Sequence, residues 1–174
     1  MAITHHIIIL VPLLVISTVV SAVSKPAETP AISVAAKAFT EAHNKARAMV
    51  GVSPLVWNQT LETAAYWLAR YQGEVEKCEV TSFNPRKYGT NQLWTKGLAL
   101  TPSLAVKAWV NEKAFYDYKS NTCAPKHTCG VYKRVVWRGT KELGCAQAMC
   151  AKESALLTIC FYYPAGNVIG QKPY

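Results

Sequence analysis

CGVYKRVVWRGT at residues 129–140, GCAQAMC at 144–150 and CFYYPAGNVIGQKPY at 160–174 decide how this chain is read. With the loop before them, they carry five of its six cysteines. After Gly130 the sequence breaks into short runs rich in β-branched and aromatic residues, separated by turn-prone or charged ones. Residues 131–137, 143–149 and 156–163 are therefore predicted as three antiparallel strands.

The sequence before them has a different period. Ala36, Phe39, Ala42, Ala46 and Val50 recur at helical spacing, and Gly51 stands where a left-handed cap would end the helix. Leu61, Ala64, Ala65, Leu68 and Tyr71 repeat the pattern up to Gly73. Pro102 and Ser103 open a third helix carrying Leu104, Ala105, Ala108, Trp109 and Tyr116. Helices packed over a small sheet, with no internal repeat, predict an α+β layer architecture.

Residues 7–20 form an apolar run broken by one proline, and Val20, Ser21 and Ala22 are small enough for a signal peptidase. Residues 1–22 are thus read as a secretory signal, followed by a flexible linker at 23–34 that contains Pro26 and Pro30. No later stretch reaches the roughly 18 apolar residues a membrane helix needs. The remainder, residues 35–174, is one domain's worth of chain and can bury roughly two thirds of its unfolded surface.

Cys78, Cys123, Cys129, Cys145, Cys150 and Cys160 all fall in this mature part, an even count that suits an oxidising compartment. Sequence alone leaves fifteen pairings open. A metal site is the weaker reading of these cysteines, because His127 sits inside the short Cys123–Cys129 loop without finger-like spacing. The net charge of +9 suggests attraction to acidic wall polysaccharides or anionic lipid heads. Nucleic acid does not fit the compartment. Asn58, Gln59 and Thr60 form a glycosylation sequon, which makes Asn58 a candidate acceptor.

These stretches, with AHNKARAMVGVSPLVWN at 42–58, resemble the CAP superfamily (cysteine-rich secretory, antigen 5, pathogenesis-related protein 1). They are most similar to plant pathogenesis-related protein 1. KYGTNQLW at 87–94, CGVY at 129–132 and the closing stretch look like its pistil-specific subgroup. The resemblance runs from about Ala35 to Tyr174. It implies a CAP-type α-β-α sandwich with a small antiparallel sheet and three disulfides: Cys78 with Cys150, Cys123 with Cys129, and Cys145 with Cys160.

It also implies a central cavity, lined in the family by two histidines and two acidic residues. His43 matches the first histidine and Glu112 the acid of the WVNEK helix. Thr90 stands where YGEN would supply a glutamate, and Val131 where CGHY would supply the second histidine. A catalytic divalent cation needs three or four ligands. His43 and Glu112 alone cannot hold one, so neither metal nor cofactor is expected. A nucleophile would have only His43 or His127 to activate it, and Gly89, Thr90 and Asn91 read as a turn rather than a phosphate loop. The chain is expected not to be an enzyme. In the predicted strand Lys133 shares the face of Val131, where it would offset the charge of Glu112.

The resemblance implies sterol or fatty-acid binding in a groove, with Leu93, Trp94, Leu98 and Leu100 as candidate walls. The last eleven residues match the family's PxGNxxGxxPY tail, which would be freed as a defence signal by a cut between Tyr163 and Pro164. Phe161 departs from the residue that usually precedes that cut. A third expectation is a structural protein held to wall polyanions by charge. All three describe an extracellular, monomeric plant protein, and the first, a protective role through lipid binding, is the expectation, with the other two as alternatives.

Overall fold

Ser33 opens α1 (Val34–Ala48), its hydroxyl accepting from the Ala36 amide at 3.1 Å, and Gly51 lies past the helix end at φ +69°. The structure is a computed structural model that describes residues 32–74, 87–97, 100–150 and 154–174. The signal, most of the linker, Cys78 and Leu98 lie outside the described residues.

β1 (Val56–Trp57) leads into α2 (Gln59–Glu74), whose first turn is capped by Asn58: its Oδ1 accepts from the amides of Thr60 and Leu61 at 2.8 and 3.2 Å. β2 (Gly89–Lys96) follows, then α3 (Pro102–Val110), capped by the Thr101 hydroxyl and carrying proline in its first turn. A 3₁₀ turn (Asn111–Phe115) continues α3 into the ribbon of β3 (Tyr116–Asp117) and β4 (Thr122–Cys123). α4 (Gly130–Val135), β5 (Glu142–Cys150) and β6 (Ala155–Tyr163) complete the described elements.

The main sheet has the order β1-β5-β6-β2; β6 runs antiparallel to both neighbours, and β1 pairs parallel with β5. Alternation along β6 builds two cores. Leu157, Ile159 and Phe161 pack against Leu61, Ala65, Leu68 and Ala69 of α2. Cys160 and Tyr162 point to the opposite face, into a cluster with Phe39 of α1, Val106 and Trp109 of α3, and Tyr132 and Val135 of α4. Helices thus cover both faces of the sheet, the expected α-β-α sandwich. Gly144 lets α2 approach: a Cβ there would lie 2.2 Å from the Glu62 nitrogen and 2.4 Å from the Leu61 carbonyl carbon.

Residues 143–149 and 156–163 are strands as expected, but residues 131–137 begin as α4. Strand-forming residues are overruled there because the Glu112 carboxylate takes the first free amides of the helix, Val131 and Tyr132, at 3.0 and 3.1 Å. Gly89, Thr90 and Asn91 are no turn; they start β2, paired with Tyr162, Phe161 and Cys160. The third helix ends at Val110, which puts Glu112 on the 3₁₀ turn and Tyr116 on β3. Cys123 bonds Cys129, and Cys145 bonds Cys160 across β5 and β6, as the resemblance implied. The expected partner of Cys150, Cys78, is outside the described residues.

Candidate functional site

His43 lies on the inner face of α1 and is fully buried. Its Nδ1 is 2.8 Å from the Phe39 carbonyl, which can only accept, so Nδ1 carries the hydrogen. Nε2 is then an acceptor, and the Tyr162 hydroxyl donates to it at 2.8 Å. The Tyr162 oxygen accepts in turn from Asn91 Nδ2 at 3.1 Å, and the same amide donates to the Val131 carbonyl at 3.0 Å. Arg134 closes the chain, one Nη donating to Asn91 Oδ1 at 2.9 Å and to the Thr90 carbonyl at 2.8 Å. A buried relay therefore runs from α4 through β2 and β6 to α1.

Burial holds the His43 pKa down at about 4; the Phe39 bond opposes this and the charge of Arg47 adds to it. Burial likewise raises the Tyr162 pKa and lowers that of Arg134. The ring is neutral and the phenol protonated at ordinary pH, the pairing that one O–H···N bond requires.

Residues 40–163 match the cysteine-rich secretory protein family, CAP. The chain belongs to the CAP family. It is 50% identical over 140 residues to the STS14 protein of Solanum tuberosum, covering 80% of this chain and 65% of that protein, so it spans a little under two thirds of that relative's length. It is 42% identical over 136 residues to pathogenesis-related protein 1C of Nicotiana tabacum, covering 78% of this chain and 79% of that protein. Among solved structures, Schistosoma mansoni venom allergen-like protein 4 superposes with a TM-score of 0.65 at 26% identity, over 82% of this chain and 94% of that one.

Of the four positions expected to line a cavity, His43 is linked to Val131 through Tyr162 and Asn91, and Val131 is linked through its amide to Glu112. Thr90 joins only through its backbone carbonyl, which accepts from Arg134; paired with Phe161, its side chain lies on the α2 side of the sheet. Their chemistry does not suit a divalent cation. Both ring nitrogens of His43 are engaged, and Glu112 spends one oxygen on the two α4 amides and the other on the Thr128 hydroxyl at 2.7 Å. Thr90 Oγ1 is buried without a partner. Among the described residues no three His, Cys, Asp or Glu side chains gather as a metal site would need.

One expectation is corrected. Lys133, placed by a helix and not a strand, extends its ammonium to Asn121 Oδ1 at 3.2 Å and lies over the Tyr116 ring, instead of meeting Glu112. His127 stacks on Phe115 at the exposed disulfide loop.

Arg47 was the residue that sequence reasoning passed over. It is fully buried four positions after His43. Its Nε donates to the Ser53 carbonyl at 2.7 Å, one Nη to those of Val135 and Trp137 at 3.0 and 2.9 Å, and the other to that of Thr140 at 3.1 Å. This arginine thereby ties α1 to the chain after α4. An arginine on an apolar helical stripe was the available signal.

Of the expected groove residues, Leu93 and Leu100 pack against the main core and Trp94 is exposed. A groove of about 430 Å³ lies instead between α1 and α3, walled by Ala42, Ala46, Met49, Val106 and Val110, with Lys45 and Lys107 among its polar residues. Asn58 is half-buried; beyond capping α2, its Nδ2 donates to Glu142 at 2.6 Å. The tail after Tyr163 is tied down along its length. Thr140 donates to the Pro164 carbonyl at 3.0 Å, Asn167 to Gly130 at 2.8 Å, Asn121 to Gln171 at 3.1 Å, and the Arg138 amide to Pro173 at 2.7 Å. Tyr174 then stacks on Tyr118 and meets the Tyr132 hydroxyl.

Proposed function

We propose that this CAP protein is an extracellular, non-catalytic binding module that holds an amphiphile in the groove between α1 and α3. The observation that carries the reading is the groove's make-up: an apolar wall around about 430 Å³, with two lysines, Lys45 and Lys107, against one acid, Glu41, in its lining. A carboxylate head fits those lysines better than a sterol hydroxyl does, so a long-chain fatty acid is the favoured ligand. The engaged ring of His43, the engaged carboxylate of Glu112 and the disulfide-bonded state of Cys123, Cys129, Cys145 and Cys160 support action by binding rather than catalysis. The family's description as secretory supports an extracellular place, and the relatives' pathogenesis-related names support a protective role. The STS14 match supports the pistil-type placement.

The test is saturable binding of labelled palmitate and labelled sterol to the leaderless, disulfide-intact protein, with an Ala42→Trp variant that fills the groove. The reading expects palmitate to bind the wild type and not the variant. Absence of saturable binding to the folded wild type overturns it, and binding of sterol alone replaces the fatty acid.

A further inference from the structure

A second cleft, of about 300 Å³, opens at the end of the molecule built by the β3–β4 ribbon, the Cys123–Cys129 loop and the C-terminal tail. Tyr116, Asn121, Thr122, Lys133 and Asn167 supply its side chains, with Gly130 and the disulfide completing the wall. Where the groove between α1 and α3 has aliphatic walls, this cleft takes its side chains mainly from Tyr116, Asn121, Thr122 and Asn167, around a single cation.

That cation is held in place without a counter-charge. Lys133 is half-buried, and its ammonium is fixed by Asn121 Oδ1 at 3.2 Å and by the face of Tyr116, 5.6 Å from the ring centroid. Asn121 is itself set by the Tyr116 hydroxyl at 2.7 Å and by its own bond to the Gln171 carbonyl. No carboxylate lies within ion-pair range of Lys133 among the described residues, and the side chains of Glu112 and Asp117 are engaged by other groups. Glu112 caps α4, and Asp117 accepts from the Ser120 hydroxyl and the Lys119 amide. A half-buried ammonium bonded only to an amide and a ring keeps two N–H donors for an anion, and a preordered donor costs little entropy to engage.

We propose that this cleft binds one carboxylate-bearing sugar residue of an acidic polysaccharide, with the uronate carboxylate on Lys133. A single ammonium matches a monoanion; a phosphate dianion would call for more cations or a guanidinium fork. An acyl chain would leave Asn167 Oδ1, buried without a hydrogen-bond partner, still unpaired, whereas a sugar hydroxyl can donate to it. The surroundings suit a longer polyanion, since residues 113–133 contain four lysines and one acidic residue, and Lys172 lies over Tyr118 nearby. The site shares no lining residue with the groove between α1 and α3, so it stands or falls apart from the lipid reading.

The test uses the leaderless, disulfide-intact protein titrated with trigalacturonate, its methyl ester and a sulfated galactan fragment, with backbone amide shifts recorded. Trigalacturonate is expected to move the amides of Thr122, Gly130 and Asn167 first. Lys133→Gln should weaken it roughly tenfold, as loss of one charge-assisted bond implies, while Lys141→Gln, which removes an exposed lysine elsewhere, should change it less than about twofold. Equal losses in the two variants, shifts centred elsewhere, or no binding would overturn the site in favour of general charge attraction. Should Lys133→Gln disturb the fold, the wild type decides alone: the methyl ester must bind roughly tenfold more weakly than the free acid. Stronger binding of the sulfated fragment at the same amides would overturn the uronate assignment.

Discussion

Tyr162 donates its hydroxyl hydrogen to His43 Nε2 at 2.8 Å, joining β6 to a residue 119 positions earlier on α1. The bond exists only while the ring is neutral, because a protonated ring has no acceptor. Removing the hydroxyl with Tyr162→Phe leaves His43 Nε2 without its donor and Asn91 Nδ2 with one acceptor fewer. A loss of about 1–3 kcal/mol is expected, measured by denaturant unfolding of the disulfide-intact protein.

The same ring makes stability depend on pH in a defined window. His43 titrates at about 4 in the folded protein and at its ordinary 6.5 when unfolded, so the unfolded chain takes up the proton first as pH falls. The folded state is then disfavoured progressively between pH 6.5 and about 4, by about 3 kcal/mol at the end of the window, and not at all above it. His43→Phe should flatten this part of the unfolding profile relative to the wild type. An unchanged slope between those pH values would mean that the ring is not held neutral.

Arg47 predicts a larger effect. Arg47→Met keeps the apolar stem but leaves the carbonyls of Ser53, Val135, Trp137 and Thr140 without its donors, at a cost of about 3 kcal/mol or more. Arg47→Lys should recover only part of this, since one ammonium cannot reproduce the planar fork. Unfolding midpoints of the two variants check the order.

Gly144 makes a steric prediction. Gly144→Ala drives a methyl into the backbone of Leu61 and Glu62, which cannot yield without lifting α2 from the sheet; a loss of about 3 kcal/mol, or failure to fold, is expected. Gly73→Ala, whose Cβ would meet, among the described residues, only the Met149 carbonyl at 3.5 Å, is the matched control and should be neutral or slightly stabilising. Thermal unfolding of the pair separates packing from helix propensity.

α1 and α2 were legible because one face of each is buried and burial imposes a helical period, whereas β5 and β6 were legible as β-forming runs, β6 being buried on both faces of the sheet. α4 was not: Val131, Tyr132, Val135 and Val136 favour strands locally, and the carboxylate that starts the helix is supplied from the 3₁₀ turn by Glu112. β2 was read as a turn from Gly89 and Asn91, although Gly89 serves to pass the Arg134 side chain, which a Cβ would touch at 2.8 Å. Motif spacing pointed to His43, Thr90, Glu112 and Val131, but not to the groups that bond them. Arg134 and Tyr162 reach Asn91 only once three separate elements are stacked, and no spacing along the chain encodes that meeting.

The tail from Pro164 to Tyr174 carries the last prediction. A peptide cut between Tyr163 and Pro164 would still be bonded through Pro164, Asn167, Gln171 and Pro173, and its last ring would remain stacked on Tyr118. Gly166 lies against Trp137 so closely that a Cβ would approach its ring carbon to 2.7 Å, so the segment is seated in the fold rather than draped over it. Several such bonds act together at the high effective concentration of an intact fold. Protein carrying an engineered protease site at this junction should therefore, once nicked, elute as one species in native buffer and release the peptide only in denaturant. Prompt appearance of free peptide under native conditions would show that the tail is held more weakly than its contacts imply, and would make cutting alone sufficient for release.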